Sequence, residues 1–460
     1  MSNLEPAHLE SSALPLAPGG ADPDRFDPKE AWYPVFYLQD LDRQRPNAFT
    51  LLGIDLVIWW DRATESWAAL RDQCPHRLVP LSEGRIAEDG LLECPYHGWA
   101  FTGSGACDRI PQQNPEEQAQ TSRRACTRSF PTQECQGLLF VYAGEAENAS
   151  RVAVPAIGPY DPSDKSWICM DIARDLPYDA ATLLENVLDS SHLPFTHHKS
   201  VGNRVNAAPM DLEVVKSDKT GFLGTWAEGP RRGKLGSQDT VFIAPNLMWH
   251  DLTSKQFGRT LTAVYATPIR KGECRLFARF PFQGLPKVPA FFIQSTPRWF
   301  SHLGQNAILE DDQIFLHWQE RKLAEQGGSE NFTKAFYLPT KADRFVFEFR
   351  QWFSQFQAEP FPGQSLPDRK TREALLDRYQ SHTQHCVSCR TAVQRLKRLK
   401  TGAIALAVIL TITTAFLSPV GIGKLVAAIG AVMMAAIAWG LHEFTQRFYH
   451  GRVIPPRNLS

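Results

Sequence analysis

Cys74-Pro75-His76 and Cys94-Pro95-Tyr96-His97 stand with 17 residues between them. No other feature restricts the fold as tightly, because two short loops must face each other across one site for these side chains to act together. Each loop offers one thiol and one imidazole, and Pro75 and Pro95 shape the two backbones. Two thiolates on one iron and two imidazoles on the other hold a [2Fe-2S] cluster that is easier to reduce than an all-cysteine one, since neutral imidazole donates less charge. Such a cluster relays one electron at a time. The competing readings are a structural zinc site and a chance meeting of two Cys-Pro dipeptides. Zinc sites usually draw on a Cys-x2-4-Cys or His-x3-5-His pair, whereas each half here supplies one of each, so the iron cluster is the expectation.

At 460 residues the chain has room for two or three domains of roughly 150 residues. Lys+Arg and Asp+Glu balance at 49 each, which removes any global electrostatic case for a nucleic-acid partner. Nine cysteines in so long a chain do not read as a secreted disulfide framework, and those not assigned to iron are expected to be reduced. Residues 1–29 are rich in Pro, Ala, Gly, Glu and Asp and lack both an apolar signal core and an Arg/Ser bias. They read as a disordered lead-in, and their acidity favours a bacterial protein used where it is made over plastid import.

The apolar residues concentrate near the C-terminus. Thr401 to Ser418 and Leu425 to Leu441 carry no charge, and Pro419, Gly421 and Gly423 lie between them. Each run is close to the length that crosses a hydrocarbon core of ~30 Å as a helix. Arg390, Arg395, Lys397, Arg398 and Lys400 precede the first, and Arg447, Arg452 and Arg457 follow the second, while the loop between offers only Lys424. The positive-inside rule then puts both ends in the cytoplasm. A buried soluble hairpin is the rival reading.

Between Ala181 and His198 (ATLLENVLDSSHLPFTHH) the apolar Leu184, Val187 and Leu188 fall at helical spacing. Glu185, Asp189 and His192, at i, i+4 and i+7, share another stripe of the same helix. A kink at Pro194 turns His197 back towards His192. Two imidazoles then converge, and a facial iron triad lacks only a carboxylate. His198 is a rival to His197. The best source of the carboxylate is Asn306 to Glu320 (NAILEDDQIFLHWQE). In projection Glu310, Gln313, His317 and Glu320 make its solvent stripe, with Ile308, Leu309, Phe315 and Leu316 on the buried one. Asp312 sits in the middle of the buried stripe and Asp311 nearer its boundary, so Asp312 is preferred, because a carboxylate on an apolar face needs a partner or a metal.

Arg77 after the first loop histidine and Gly98-Trp99 after the second resemble the oxygenase branch of the Rieske family; the respiratory branch carries an additional Cys in each loop. The run Glu185-x3-Asp189-x2-His192-x4-His197 resembles the iron motif of Rieske non-heme iron oxygenases. Ser381-His382-Thr383-Gln384-His385-Cys386-Val387-Ser388-Cys389, followed by two apolar spans, is similar to the C-terminal Cys-x2-Cys and anchor of the pheophorbide a oxygenase and chlorophyllide a oxygenase-like subgroup. The resemblance implies an α+β chain with an all-β Rieske [2Fe-2S] domain at 30–146 and a helix-grip catalytic domain at 159–370. A CxxC and basic linker at 371–400, two transmembrane helices at 401–445 and a cytoplasmic tail at 446–460 follow. Phe291, Phe292, Trp299, Phe300, Trp318, Phe345 and Phe347 are candidates for the pocket lining.

The implied chemistry is reductive activation of O2 at a mononuclear Fe(II) held by His192, His197 and Asp312, fed by the cluster on Cys74, His76, Cys94 and His97. Asp189 would connect the two sites across the subunits of a homotrimer, and Glu185 would orient Asp189 or a ligand, or simply be solvated. Without a Gly-rich dinucleotide loop after any strand, electrons must come from a ferredoxin or a separate reductase. The implied substrate is a hydrophobic chlorophyll-derived tetrapyrrole, in a bacterial plasma or thylakoid membrane. Cys386 and Cys389 read as a dithiol switched by a thioredoxin-like partner or as two inert thiols; His385 with the two thiols supplies only three of the four ligands zinc needs. Other readings are a membrane-tethered Rieske electron carrier or redox sensor, and an oxygenase acting on a sterol-like, carotenoid-like or O-methyl aromatic ring.

Overall fold

Short alternating runs in the first third of the chain fold into three small antiparallel sheets. The computed structural model describes residues 24–254, 258–417 and 421–459. One sheet joins Trp32–Tyr37, Leu138–Tyr142 and Thr132–Cys135, and a second joins Asn47–Leu51, Ile54–Asp61, Ser66–Arg71 and Ser129–Phe130. The third, Arg85–Ile86, Leu92–Glu93, Ala100–Phe101 and Cys107–Arg109, is too short to bury a core of its own. It rests Leu92 and Phe101 on Val57, Trp59 and Leu70 of the second sheet, and Cys74 and Cys94 belong to the same cluster of buried side chains.

A seven-stranded antiparallel sheet follows. Its first strand, Trp167–Leu176, pairs with its last, Glu273–Gln283; beyond that come Gly258–Arg270, Leu247–Ser254, Gln238–Ile243, Gly221–Trp226 and Leu212–Asp218. Side chains alternate between two buried faces. On one face Phe222, Phe242, Met248 and Val264 pack against the helix Ala180–Leu188, Leu316 of the long helix Arg298–Glu325, and Phe345, Phe349 and Trp352 of the helix Arg344–Gln355. On the other, Trp249, Leu261, Tyr265 and Phe277 meet Phe140 and Tyr142, which fixes the N-terminal sheets to the helical half. Gly224 must stay bare, because a Cβ there would lie 2.2 Å from the Phe345 ring.

Residues 1–23 of the expected lead-in lie outside the described residues. From Asp24 on, the expectation of disorder fails: Phe26 is fully buried, donates its N–H to the Phe356 carbonyl at 2.8 Å and sets its ring edge-on to Trp352. The expected linker at 371–400 is also corrected. The helix Val387–Phe416 runs from the second thiol region into the first apolar span without a break, since Arg, Lys, Leu, Ala and Gln favour helix. It packs along Ile422–Gln446. The most apolar windows of these two helices are 0% and 17% buried, unlike core helices, and both are long enough to cross a membrane.

Candidate active site

The two Cys-Pro loops are built alike. The N–H of Cys74 donates to Val79 O and its carbonyl accepts from Leu78; Cys94 makes the same pair with Trp99 and Gly98. The fifth residue of each loop takes a left-handed backbone, φ 63° at Leu78 and 72° at Gly98. The thiols of Cys74 and Cys94 are buried, whereas His76 is exposed and His97 half-buried. The two imidazoles lie 4.6 Å apart between centroids, and the Trp99 ring stacks flat on His76 at 4.6 Å. A thiol pair inside and an imidazole pair outside fit a two-iron cluster with its histidine iron at the surface.

The second constellation is organised by a helix break one turn earlier than the sequence implies. The helix Ala180–Leu188 ends at Asp189, whose backbone is extended (φ −83°, ψ 97°) and whose carboxylate accepts from the Ser191 N–H at 2.7 Å. A separate single turn, Leu193–Thr196, follows, with Pro194 in its first positions, where a missing N–H is harmless. Pro194 is therefore no kink in a continuing helix. His192 and His197 flank this turn, their rings 5.3 Å apart, and Asp312 comes to them from the long helix. One donor atom from each of the three lies within 4.8 Å of the others.

The outer nitrogens set the tautomers. His192 Nδ1 faces the Asp189 carbonyl at 2.5 Å, which only accepts, so the bare Nε2 points to Asp312. His197 Nδ1 faces Asp311 Oδ2 at 3.4 Å and its Nε2 faces Asp312 Oδ2 at 3.2 Å. Burial lowers the His197 pKa, but Asp311 and Asp312 outweigh it and push it up to about 9, so the pocket favours positive charge. Asp312 Oδ1 is buried with no hydrogen-bond partner. A cation ligated there removes that cost, and two imidazoles with one carboxylate suit non-heme iron. His198 instead accepts from the Arg204 N–H, and Asp311 accepts from the outer side of His197 and from Ser200.

Two expectations are corrected here. Glu185 is neither solvated nor aimed at Asp189: it is buried in an ion pair with Arg350 and accepts from Gln319 at 2.9 Å. The supposed solvent stripe of the long helix is buried as well. Glu310 is held by Arg174 and Arg378, Gln313 donates to Leu375 O, His317 donates to Pro177 O, and Glu320 accepts from Thr182 and the Asp179 N–H. Phe315, expected inside, is exposed.

A cavity of about 750 Å³ is bounded by Ser191 and Leu193, the chain neighbours of His192, and by Phe195, Met210, Trp226 and Leu252, with none of the three triad side chains in its wall. Arg231, Arg232 and Lys341 also border it. A smaller one of about 400 Å³ opens on Asp189 and His192. None of the seven aromatic residues expected to line a pocket borders either. Phe345 is core, Phe347 packs on Phe332, Trp299 packs on Phe444 and Phe448, and Phe291, Phe292, Phe300 and Trp318 are exposed.

The family model described as the Rieske [2Fe-2S] domain matches residues 31–131, and the one described as pheophorbide a oxygenase matches residues 242–330. The chain is 37% identical to the chloroplastic pheophorbide a oxygenase of Oryza sativa subsp. japonica, over 96% of this chain and 89% of that one. It is 38% identical to that of Arabidopsis thaliana, over 92% and 83%. The chain belongs to the pheophorbide a oxygenase family of Rieske non-heme iron oxygenases. Flavonoid 8-hydroxylase 2 of Ocimum basilicum is 32% identical to this oxygenase over 93% of its length and 86% of the hydroxylase. Two solved structures share the fold. Dicamba monooxygenase bound to dicamba has a TM-score of 0.58 at 22% identity, over 72% of this chain and 98% of that one. NdmA of Pseudomonas putida CBB5 with caffeine has a TM-score of 0.59 at 18% identity, over 75% and 98%.

The curated relatives named here are all described as chloroplastic, so the expected bacterial source of this oxygenase draws no support from them. Sequence reasoning also missed two histidines. His302 and His382 meet Cys386 and Cys389 in a second buried constellation, whereas His385 points away towards Asp175. The i−4 spacing of His382 from Cys386 was visible in the sequence; His302, far upstream, left no signal.

Proposed function

We propose that this oxygenase acts on a chlorophyll-derived tetrapyrrole of the pheophorbide a or chlorophyllide type, anchored by its two C-terminal helices to the membrane in which such pigments dissolve. The observation that carries the proposal is the convergence of His192, His197 and the unpartnered Asp312 Oδ1, with a cavity of about 400 Å³ opening on His192 and one of about 750 Å³ bounded by its chain neighbours Ser191 and Leu193. The pheophorbide a oxygenases at 37% and 38% identity supply the substrate class.

Cys74, Cys94, His76 and His97 would hold the [2Fe-2S] cluster, and His192, His197 and Asp312 a mononuclear iron; bound there, the two centres supply one-electron delivery and reductive activation of O2. The chain's own residues prepare the site. The Asp189 carbonyl and the Asp311 carboxylate take the outer N–H of the two imidazoles, so both inner nitrogens face the site, and a bound cation would displace the proton that His197 otherwise carries there. Leu193, Phe195, Met210 and Trp226 wall the cavity with apolar surface that excludes water from the ring. Arg231, Arg232 and Lys341, along the same cavity, suit an acidic substituent on that ring.

His76 is exposed and the Asp189 side chain is 26% exposed, as an electron path between neighbouring subunits of a homotrimer requires. Ferredoxin or a separate reductase supplies the electrons. The basic residues flanking both helices support a reading in which the catalytic domains lie on the cytoplasmic side of a plasma or thylakoid membrane. The flavonoid 8-hydroxylase relative favours a second reading, in which the same machinery takes a smaller aromatic ring. Substrate-dependent O2 uptake with reduced ferredoxin separates the two. Uptake with pheophorbide a or chlorophyllide a, and none with flavones, is expected; the reverse preference overturns the tetrapyrrole assignment.

A further inference from the structure

Near the start of the long helix, two imidazoles and two thiols converge away from both iron-type sites. His302 belongs to Arg298–Glu325, His382 to the single turn Tyr379–Thr383, Cys386 caps the helix Val387–Phe416, and Cys389 lies in its first turn. None is more than 3% exposed, and one donor atom from each lies within 4.8 Å of the other three. His302 Nδ1 is 3.0 Å from His382 Nε2, 3.5 Å from Cys386 Sγ and 3.4 Å from Cys389 Sγ; His382 Nε2 is 3.3 Å from Cys389 Sγ.

Both imidazoles are oriented from outside. His302 Nε2 faces the Asp171 carbonyl at 2.9 Å and His382 Nδ1 faces the Ala173 carbonyl at 2.6 Å, both on the strand Trp167–Leu176. A carbonyl only accepts, so each ring places its N–H there and turns a bare lone pair inward. Two lone pairs 3.0 Å apart repel unless something positive lies between them. Outer hydrogen bonds to carbonyls are also the usual support of metal-ligating histidines.

The separations fit one tetrahedral ion. Zn–N of 2.0–2.1 Å and Zn–S of 2.3 Å give edges of about 3.4 Å between nitrogens and about 3.6 Å between nitrogen and sulfur, close to the 3.0 Å and the 3.3 to 3.5 Å seen. Four donors gathered about one point suit a single ion, not a second two-iron cluster. We propose that His302, His382, Cys386 and Cys389 bind one structural zinc ion. On binding, each thiol loses its proton to solvent, so two thiolates cancel the dication and no net charge is buried. Four protein ligands leave no open position, so the ion is not catalytic. It joins the first apolar helix to the helix that carries Asp312 about 15 Å further on.

The test is zinc analysis and zinc-edge X-ray absorption on the full-length protein, purified in detergent from cells replete in zinc and iron. One zinc per chain is expected, with two sulfurs at about 2.3 Å and two nitrogens at about 2.0–2.1 Å. Cys389→Ser and His382→Ala should each lose the zinc while keeping the visible absorption of the Rieske cluster. If neither variant accumulates, cobalt exchanged into the wild type should give thiolate-to-cobalt absorption. Wild type with little or no zinc, a zinc shell without sulfur, no such cobalt band, or a Cys386–Cys389 disulfide in the protein as isolated would each overturn the proposal.

Discussion

Asp312 turns one carboxylate oxygen to His197 Nε2 at 3.2 Å and leaves the other unpartnered, while its neighbour Asp311 holds the outer nitrogen of the same ring. The two substitutions should therefore differ. Asp311→Asn leaves the three inward donors in place and should weaken iron binding by about 10 to 100-fold; Asp312→Asn should abolish it. Iron titration of the metal-depleted protein measures both. His192→Ala should remove O2-dependent turnover and leave the Rieske absorption intact. The sequence indicated His192 and His197 because their spacing is local. The sequence preferred Asp312 for its place on the apolar stripe; the role of Asp311, on the outer nitrogen of His197, depends on a tertiary contact that spacing does not reveal.

At the scale of elements, the long helix was assigned the wrong face. Glu310, Gln313, His317 and Glu320 fall on one stripe, and a polar stripe reads as solvent-facing. Here residues 371–383 and 447–452 pack over it, and Arg378, Arg174, Leu375 O and Pro177 O satisfy its groups. Periodicity reports polarity, and polarity equals exposure only where no second layer covers the helix. Glu310→Ala leaves Arg174 and Arg378 buried without their partner and should cost about 3–5 kcal/mol, read by thermal denaturation in detergent. The break at Asp189 was missed because helical spacing alone does not reveal an aspartate whose carboxylate takes the N–H two residues on and turns the chain out of the helix. The strands at Ile54–Asp61 and Leu138–Tyr142 were legible because their apolar runs end at turns.

In the whole molecule, the C-terminus returns to the iron-type site. Arg457, beyond both apolar helices, donates to Asp311 O at 2.6 Å and Thr196 O at 3.2 Å, so the backbone of both ligand segments is tied to the chain that leaves the second helix. Arg457→Ala should lower turnover more than it lowers Rieske absorption, with O2 uptake and visible spectra compared on one preparation. His250 gives the fold a pH dependence. Its Nε2 donates to Val187 O and its Nδ1 accepts from Thr240, joining sheet to helix, and burial pushes its pKa down to about 4. Between pH 6.5 and 4 the unfolded chain binds a proton that the folded one refuses, so stability is full above this window and falls as pH drops through it, by on the order of 2 kcal/mol at pH 5. His250→Gln should show a smaller loss of melting temperature between pH 7 and pH 5.

The central claim, that His192, His197, Asp312 and the Rieske loops together oxygenate a tetrapyrrole, is tested most directly by mass spectrometry of the pigment. The reduced, iron-replete protein is given ferredoxin electrons, ¹⁸O2 and pheophorbide a. Incorporation of ¹⁸O into the pigment by the wild type, and none by His192→Ala, is the predicted result. An unlabelled pigment, with the mononuclear iron confirmed present and the cluster reduced, would contradict it.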